Sequence, residues 1–177
     1  MFGTSSPARG DAQSDRLLEW IPRLRRYARA LVANKDEADD LVQDTLERAW
    51  ARLDMWDGVR DMRAWLFSVM HNLHIDAVRR KRIDTVDMDD ETPEIPVAAN
   101  QDGRRSLHDL EQALAKLPTD QREVLLLVGL EDMSYAEVAA TLDIPIGTVM
   151  SRLSRGRERL RALMEGRREP PTRLRVV

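Results

Sequence analysis

The chain predicts an all-α fold: two small helical domains joined by a flexible acidic linker, the second carrying a helix-turn-helix. Three observations lead there. Apolar residues recur at helical spacing in several segments, and none alternate as a half-buried strand requires. Residues 83–103 hold seven carboxylates, Pro93 and Pro96, and no Lys or Arg. Such a stretch buries too little apolar surface to order itself, and its like charges repel. Near the C-terminus, a capping box, a small residue, a proline break and an arginine-studded helix follow one another.

Residues 1–15 are rich in Gly, Ser, Pro and Ala, lack the apolar stretch of a signal peptide, and read as disordered. The first domain spans 16–82. Ile21, Leu24, Ala28, Leu31 and Val32 make one helical stripe, broken at Asn34-Lys35-Asp36. Asp36 is placed to cap a second helix, whose buried face is expected to be Val42, Leu46, Ala49, Trp50 and Leu53. Asp57-Gly58 marks a turn. A third helix starts near Asp61 with Leu66, Val69, Met70, Leu73 and Ala77 inward, and ends in the basic cluster Arg79-Arg80-Lys81-Arg82.

After the linker, a second domain spans 104–165. Leu107, Leu110, Leu114 and Leu117 form a stripe that Pro118 ends. Thr119 or Asp120 caps the next helix, with Val124, Leu125, Leu127, Val128 and Leu130. Ser134 with Glu137 is a capping box, which satisfies free amide donors at a helix start. Val138, Ala139 and Leu142 follow on one face, and small Ala139 lets another helix cross closely. Pro145 lacks an amide proton and cannot continue that helix. A second helix begins near Ile146, with Ile146, Val149, Leu153, Leu160 and Leu163 expected inward. Ser151, Arg152, Ser154, Arg155, Arg157 and Arg159 face outward. The arginine fork fits guanine edges or phosphates, so this pair of helices points to a DNA major groove. Residues 166–177, with Pro170-Pro171, read as a loose tail.

Composition narrows the partners. The formal charge is −3, from 28 basic and 31 acidic residues. A protein that grips DNA unaided usually carries a basic surplus, because phosphate neutralisation supplies much of the affinity. This chain therefore predicts weak DNA binding alone and reliance on a larger partner. Its lack of cysteine excludes disulfides and thiolate metal sites. No apolar run approaches membrane-spanning length, so membrane insertion is not expected and a cytoplasmic location is.

The string Asp36 to Trp50 resembles the polymerase-binding helix of bacterial sigma factors. Arg63 to Asn72 resembles their DNA-melting and promoter-reading helix, and Leu117 to Arg159 their C-terminal promoter-reading domain. Only these two domains occur, in a chain this short. The match is to the extracytoplasmic-function (ECF) sigma factors, and it covers nearly everything from Ile21 to Met164.

The resemblance implies that the chain binds core RNA polymerase, recognises the −35 and −10 promoter elements, and promotes melting. Asp39, Asp40, Gln43, Asp44 and Glu47 would meet the beta-prime clamp, and the beta subunit would also contact the chain. Trp56, Trp65 and Asn72 would serve the −10 element, through surfaces that replace base stacking and an amide that reads a base edge. Trp65 also reads as a core residue by its type. Arg79, Arg80, Lys81 and Arg82 would hold phosphates. At the −35 element, Met150, Ser151, Ser154 and Arg155 would face bases, and Arg152 and Arg157 would hold phosphates or structure. Ser134, Tyr135 and Thr148, on the same motif, would also meet the −35 DNA. Met150 stands where Arg or Lys is common in the family, which makes an apolar contact with a thymine methyl the expectation. Gly156 stands where alanine is common, at a cost in helix propensity of about 1 kcal/mol or less.

An anti-sigma factor is expected as a further partner. The linker would thread the polymerase channel or act as a plain tether. His71, His74 and Asp76 lie close in sequence but lack the spacing of a metal site, and no nucleophile elbow or phosphate loop occurs, so no catalysis, metal or cofactor is expected. The rival reading is a stand-alone helix-turn-helix regulator that binds a palindrome as a dimer. Such a regulator has no need of the Trp56, Trp65 and Asn72 set or of the acidic helix.

Overall fold

The computed structural model describes residues 15–52, 61–84 and 102–166. Among the described residues there is a helical turn at 15–18, then seven α-helices and no strand. The first block holds α1 (Ile21–Leu31), α2 (Lys35–Trp50) and α3 (Met62–Asp84). The second holds α4 (Asp102–Ala115), α5 (Thr119–Gly129), α6 (Tyr135–Leu142) and α7 (Ile146–Glu165).

Pro22 sits in the first turn of α1, where a missing amide proton costs nothing. Helix α1 buries Leu24, Tyr27, Ala28 and Leu31. The cap of α2 is Asn34, not Asp36: its side-chain oxygen accepts from the amides of Asp36 at 2.9 Å and Glu37 at 3.2 Å. Asp36 and Glu37 instead occupy the first turn, where the helix dipole favours negative charge. Helix α3 contributes Leu66, Phe67, Val69, Met70 and Leu73 to the core. The Phe67 ring stands edge-on to Tyr27, with centroids 4.9 Å apart, a favoured aromatic geometry.

In the second block, Pro118 precedes α5 and the capping box of α6 is complete. The Ser134 hydroxyl accepts from the Glu137 amide at 3.3 Å, and the Ser134 amide donates to Glu137 Oε2 at 2.7 Å. Asp143 ends α6 in the left-handed region, at φ 52°, a conformation that Asp tolerates better than most residues. Gly156 explains its own departure from alanine. It is buried where α7 crosses α5, and a Cβ there would meet Leu125 Cδ1 at 2.9 Å.

The core differs from the sequence expectation at three apolar residues. Trp50, Leu107 and Ile146 are 54%, 58% and 50% exposed. Trp50 follows buried Ala49 by a single residue, so it turns off the stripe formed by Ala38, Leu41, Val42, Thr45 and Ala49. Leu107 lies in the second turn of α4 and Ile146 opens α7, ahead of the covered positions Ala113, Leu114 and Leu117 in one case and Val149, Leu153 and Gly156 in the other. Periodicity tells which side of a helix a residue is on, but not how far along it the neighbour extends.

Helix α3 continues to Asp84 and α4 starts at Asp102, so helix occupies both ends of the stretch read as linker. Most of that linker, the N-terminal segment and the tail beyond Gly166 lie outside the described residues. The two blocks pack against each other: α1 on α4 and α5, and α3 on α6.

Candidate nucleic-acid interface

Helix α7 presents the first surface. Met150, Ser151, Ser154, Arg155 and Arg157 are all exposed, and Ile146 joins them one turn before Met150. Several neighbours are already engaged. Arg152 is half-buried and held by α5, with its Nε 3.3 Å from Asp120 Oδ2. The Ser151 hydroxyl donates to the Thr148 carbonyl at 3.1 Å. Ser134 spends its hydroxyl on the α6 cap, Tyr135 is half-buried against the core, and Thr148 is half-buried. No carboxylate lies in the first turn of α7, so its amide end stays favourable to anions.

Helix α3 presents the second. Trp65 is half-buried and packs on the core cluster, while Asn72, two turns on, is exposed. Arg79 and Arg80 are exposed near the C-terminal end of the helix, where cations suit the dipole. The Lys81 ammonium is 2.5 Å from a Glu37 carboxylate oxygen. Trp56 and the side chain of Arg82 lie outside the described residues.

Helix α2 presents the third. Asp40, Gln43, Asp44 and Glu47 are exposed at helical spacings of three and four, which makes one polar stripe. Gln43 donates to Glu47 at 2.9 Å, and Asp39 beside them pairs with Arg29 at 3.5 Å. Asp40 and Asp44 also rim a groove whose walls include Val32, Leu41, Leu73 and Ala77. His74 lines it. This side chain is 8% exposed and its Nε2 has no hydrogen-bond partner. Burial holds its pKa below the ordinary 6.5, against the opposing pull of Glu123. No group of metal-binding side chains forms among the described residues.

The structure also brings charged residues into contacts that the sequence reading did not anticipate. Arg23 and Arg26 of α1 donate to Glu131, at 2.9 and 3.3 Å. Arg26 also donates to the Leu130 carbonyl, and Arg63 of α3 to the Glu131 carbonyl. Arg63 reaches on to Glu137. His71 Nδ1 lies 2.7 Å from Glu123 Oε1. Arg122 donates to the carbonyls of Leu31, Ala115 and Leu117. It thereby closes the open C-terminal ends of α1 and α4, where carbonyls lack helical partners. Burial lowers the Arg122 pKa. The Glu137 carboxyl is held below its ordinary pKa by its hydrogen bonds to Ser134 first, and then by Arg63. Burial, with Glu123 and Glu131 nearby, pushes the Tyr27 hydroxyl well above its ordinary pKa.

Comparison with known proteins follows this division into blocks. Residues 17–71 match the family described as the Sigma2 domain of PhyR, and residues 107–160 match Sigma-70, region 4. The ECF RNA polymerase sigma factor EcfG of Rhodopseudomonas palustris (strain TIE-1) is 38% identical over 155 residues, covering 87% of this chain and 86% of that protein. This chain belongs to the ECF RNA polymerase sigma factors. The ECF sigma factor SigW of Bacillus subtilis (strain 168) is 31% identical over 165 residues, covering 85% and 88%. Among solved structures, the sigma factor RpoE in complex with the anti-sigma factor NepR, from Bartonella quintana, superposes with a TM-score of 0.76 at 37% identity. It covers 86% of this ECF sigma factor and 96% of that chain. CnrH in complex with the cytosolic domain of CnrY gives 0.66 at 31% identity, covering 88% and 89%. In this sigma factor, α5, α6 and all but the last five residues of α7 fall within the region 4 match, and α1, α2 and the first part of α3 within the Sigma2 match.

Proposed function

We propose that this ECF sigma factor binds core RNA polymerase, directs it to promoters with −35 and −10 elements, and assists melting at the −10 element. The observation that carries the reading is the pairing of two distinct surfaces in one short chain: an exposed acidic stripe on α2 and an exposed serine and arginine face on α7. A stand-alone regulator needs only the second. Asp40, Gln43, Asp44 and Glu47, with Asp39 at the margin, meet the polymerase clamp. Met150, Ser154 and Arg155 read −35 base edges, with Ile146 alongside. Ser151 is turned toward its own helix, and Arg152 positions α7 on α5 rather than reaching bases. Arg157 holds a phosphate. On α3, Asn72 reads a base of the −10 element while Arg79 and Arg80 hold its backbone. Trp65 supports that helix from within the block.

The chain performs no chemistry of its own and acts as the specificity subunit of the polymerase. No helix among the described residues is long and apolar enough to cross a membrane, which accords with the cytoplasmic site where transcription takes place. An anti-sigma factor is its expected regulator. The support is the likeness to RpoE, solved with the anti-sigma factor NepR, and to CnrH, solved with the cytosolic domain of CnrY.

The test mixes the purified chain with core bacterial polymerase and asks for co-elution and for initiation from a genomic promoter pool. The Asp40→Arg/Asp44→Arg double variant should keep its helical circular dichroism and lose association by at least tenfold. Undiminished association would remove α2 from the interface.

A further inference from the structure

Helix α3 exposes only a narrow face, and only in its second half. Among its described side chains, Asn72, Asp76, Arg79, Arg80, Lys81 and Ile83 are the exposed ones. Asn72, Asp76, Arg79 and Ile83 follow one another at steps of four, three and four residues, so they share one side of the helix. Arg80 lies beside them, and Lys81 turns to Glu37. From Asn72 to Arg79 the face rises ~10 Å, the height of about three stacked bases at ~3.4 Å each. It is the face to which the −10 reading assigns Asn72, Arg79 and Arg80.

Asp76 is the one carboxylate on this face among the described residues. That is an unfavourable place for it. Duplex DNA carries a negative charge for every ~1.7 Å of its axis, and a carboxylate among phosphate-holding arginines faces that charge. A pair within the helix would relieve the repulsion, since Arg79 and Arg80 follow at the two spacings that bring side chains together. No such pair forms among the described residues. Arg80 Nε donates instead to the main-chain carbonyl of Asp76, at 3.3 Å, and both carboxylate oxygens keep their full accepting capacity.

A carboxylate accepts hydrogen bonds and donates none. It is therefore mismatched to phosphate oxygens, to the guanine N7 and O6 pair and to thymine O4. The base groups that suit it on the major-groove edge are the exocyclic amines of cytosine and adenine. Adenine sets its own acceptor, N7, beside its amine, whereas cytosine adds no acceptor of its own on that edge. Cytosine is the better match. The same charge penalises every sequence that lacks an amine at that place, so discrimination arises from attraction and repulsion together. Arg79 and Arg80, on neighbouring phosphates, offset the repulsion without erasing the choice of base.

We propose that Asp76 is a specificity-determining residue for the −10 element, accepting a hydrogen bond from the N4 amine of a cytosine. The step from Asn72 to Asp76 is ~6 Å along α3, so this cytosine lies one or two positions from the base that Asn72 reads. The proposal rests on the sigma-factor reading and deepens it by naming a base and the residue that selects it.

The test uses core bacterial polymerase reconstituted with the full chain and a promoter pool randomised across the −10 element. The parent should enrich cytosine at one position next to, or one removed from, the position that loses its preference in Asn72→Ala. Asp76→Ala should lose the cytosine enrichment and keep the preferences elsewhere. On a single selected promoter, replacing that cytosine by thymine should reduce initiation about 5- to 10-fold with the parent and less than about 2-fold with Asp76→Ala. Asp76→Asn should move the preference toward adenine, whose amine and N7 an amide matches. Because Asp76 is exposed, the urea midpoints of both variants should stay with the parent's, so a fall in folding stability cannot imitate the result. An unchanged base preference in Asp76→Ala would overturn the assignment. So would a variant that initiates more strongly from every sequence alike, since that marks a charge that merely repels DNA. A parent that initiates from no promoter with core polymerase would overturn the sigma reading, and this assignment with it.

Discussion

Glu123 lies one turn before the fully buried Leu127 on α5, and Glu131 follows four residues further on, in the turn just past the end of that helix. That spacing was visible in the sequence. Its meaning was not, because a charged residue on an apolar stripe makes sense only once its partners are known, and those lie about a hundred residues away. His74 presents the same problem in another form. Its position between Leu73 and Ile75 on a helix suggests a surface or core role, and only packing leaves its Nε2 buried without a partner. The consequence is testable. Because burial lowers its pKa in the folded chain, the unfolded chain takes up this proton first as pH falls. The stabilisation is therefore complete above about pH 6.5 and is lost as pH falls from there through the lowered folded value. Urea midpoints compared at about pH 8 and about pH 5.5 should fall more for the parent than for His74→Leu. Equal falls would remove His74 from the account.

At the scale of elements, the helix-turn-helix was legible because each of its signals is local. The capping box, the proline break and the outward serines and arginines need no distant partner, and the hydrogen bonds of the Ser134 cap appear as expected. The position of each outward side chain was less legible. Ser151 and Arg152 read alike in sequence, but one bonds back to Thr148 and the other reaches Asp120. Ile146, expected inside, instead lies exposed one turn from Met150 and forms with it an apolar strip near the start of α7. The thymine methyl is the one apolar group on a major-groove base edge. Replacing thymine by uracil at individual −35 positions of a selected promoter should therefore weaken the polymerase complex about 2- to 5-fold at one or two positions, the equivalent of about one buried methyl. The Ile146→Ala/Met150→Ala double variant should be indifferent to the same replacement. Equal sensitivity in parent and variant would assign the strip to something other than DNA.

For the whole molecule, net charge bears on how the chain meets DNA. With 31 acidic against 28 basic residues, the free chain has little long-range attraction for a duplex. We expect the isolated chain to bind a promoter duplex no better than the non-specific range of about 10⁻⁴ to 10⁻⁶ M near physiological salt, with tight and selective binding only in the polymerase complex. Nanomolar promoter binding by the chain alone, measured by anisotropy, would favour the stand-alone regulator.

By itself the sequence determined the helical class, the division into two blocks, the reading motif and the acidic face of α2. Each of these follows from periodicity, capping and charge within some twenty residues of chain. Tertiary structure alone decided which stripes are covered along their full length, why residue 156 is a glycine, and how the blocks meet. Those outcomes depend on which surfaces come within contact distance of each other, and no local pattern encodes the distance between residues a hundred positions apart.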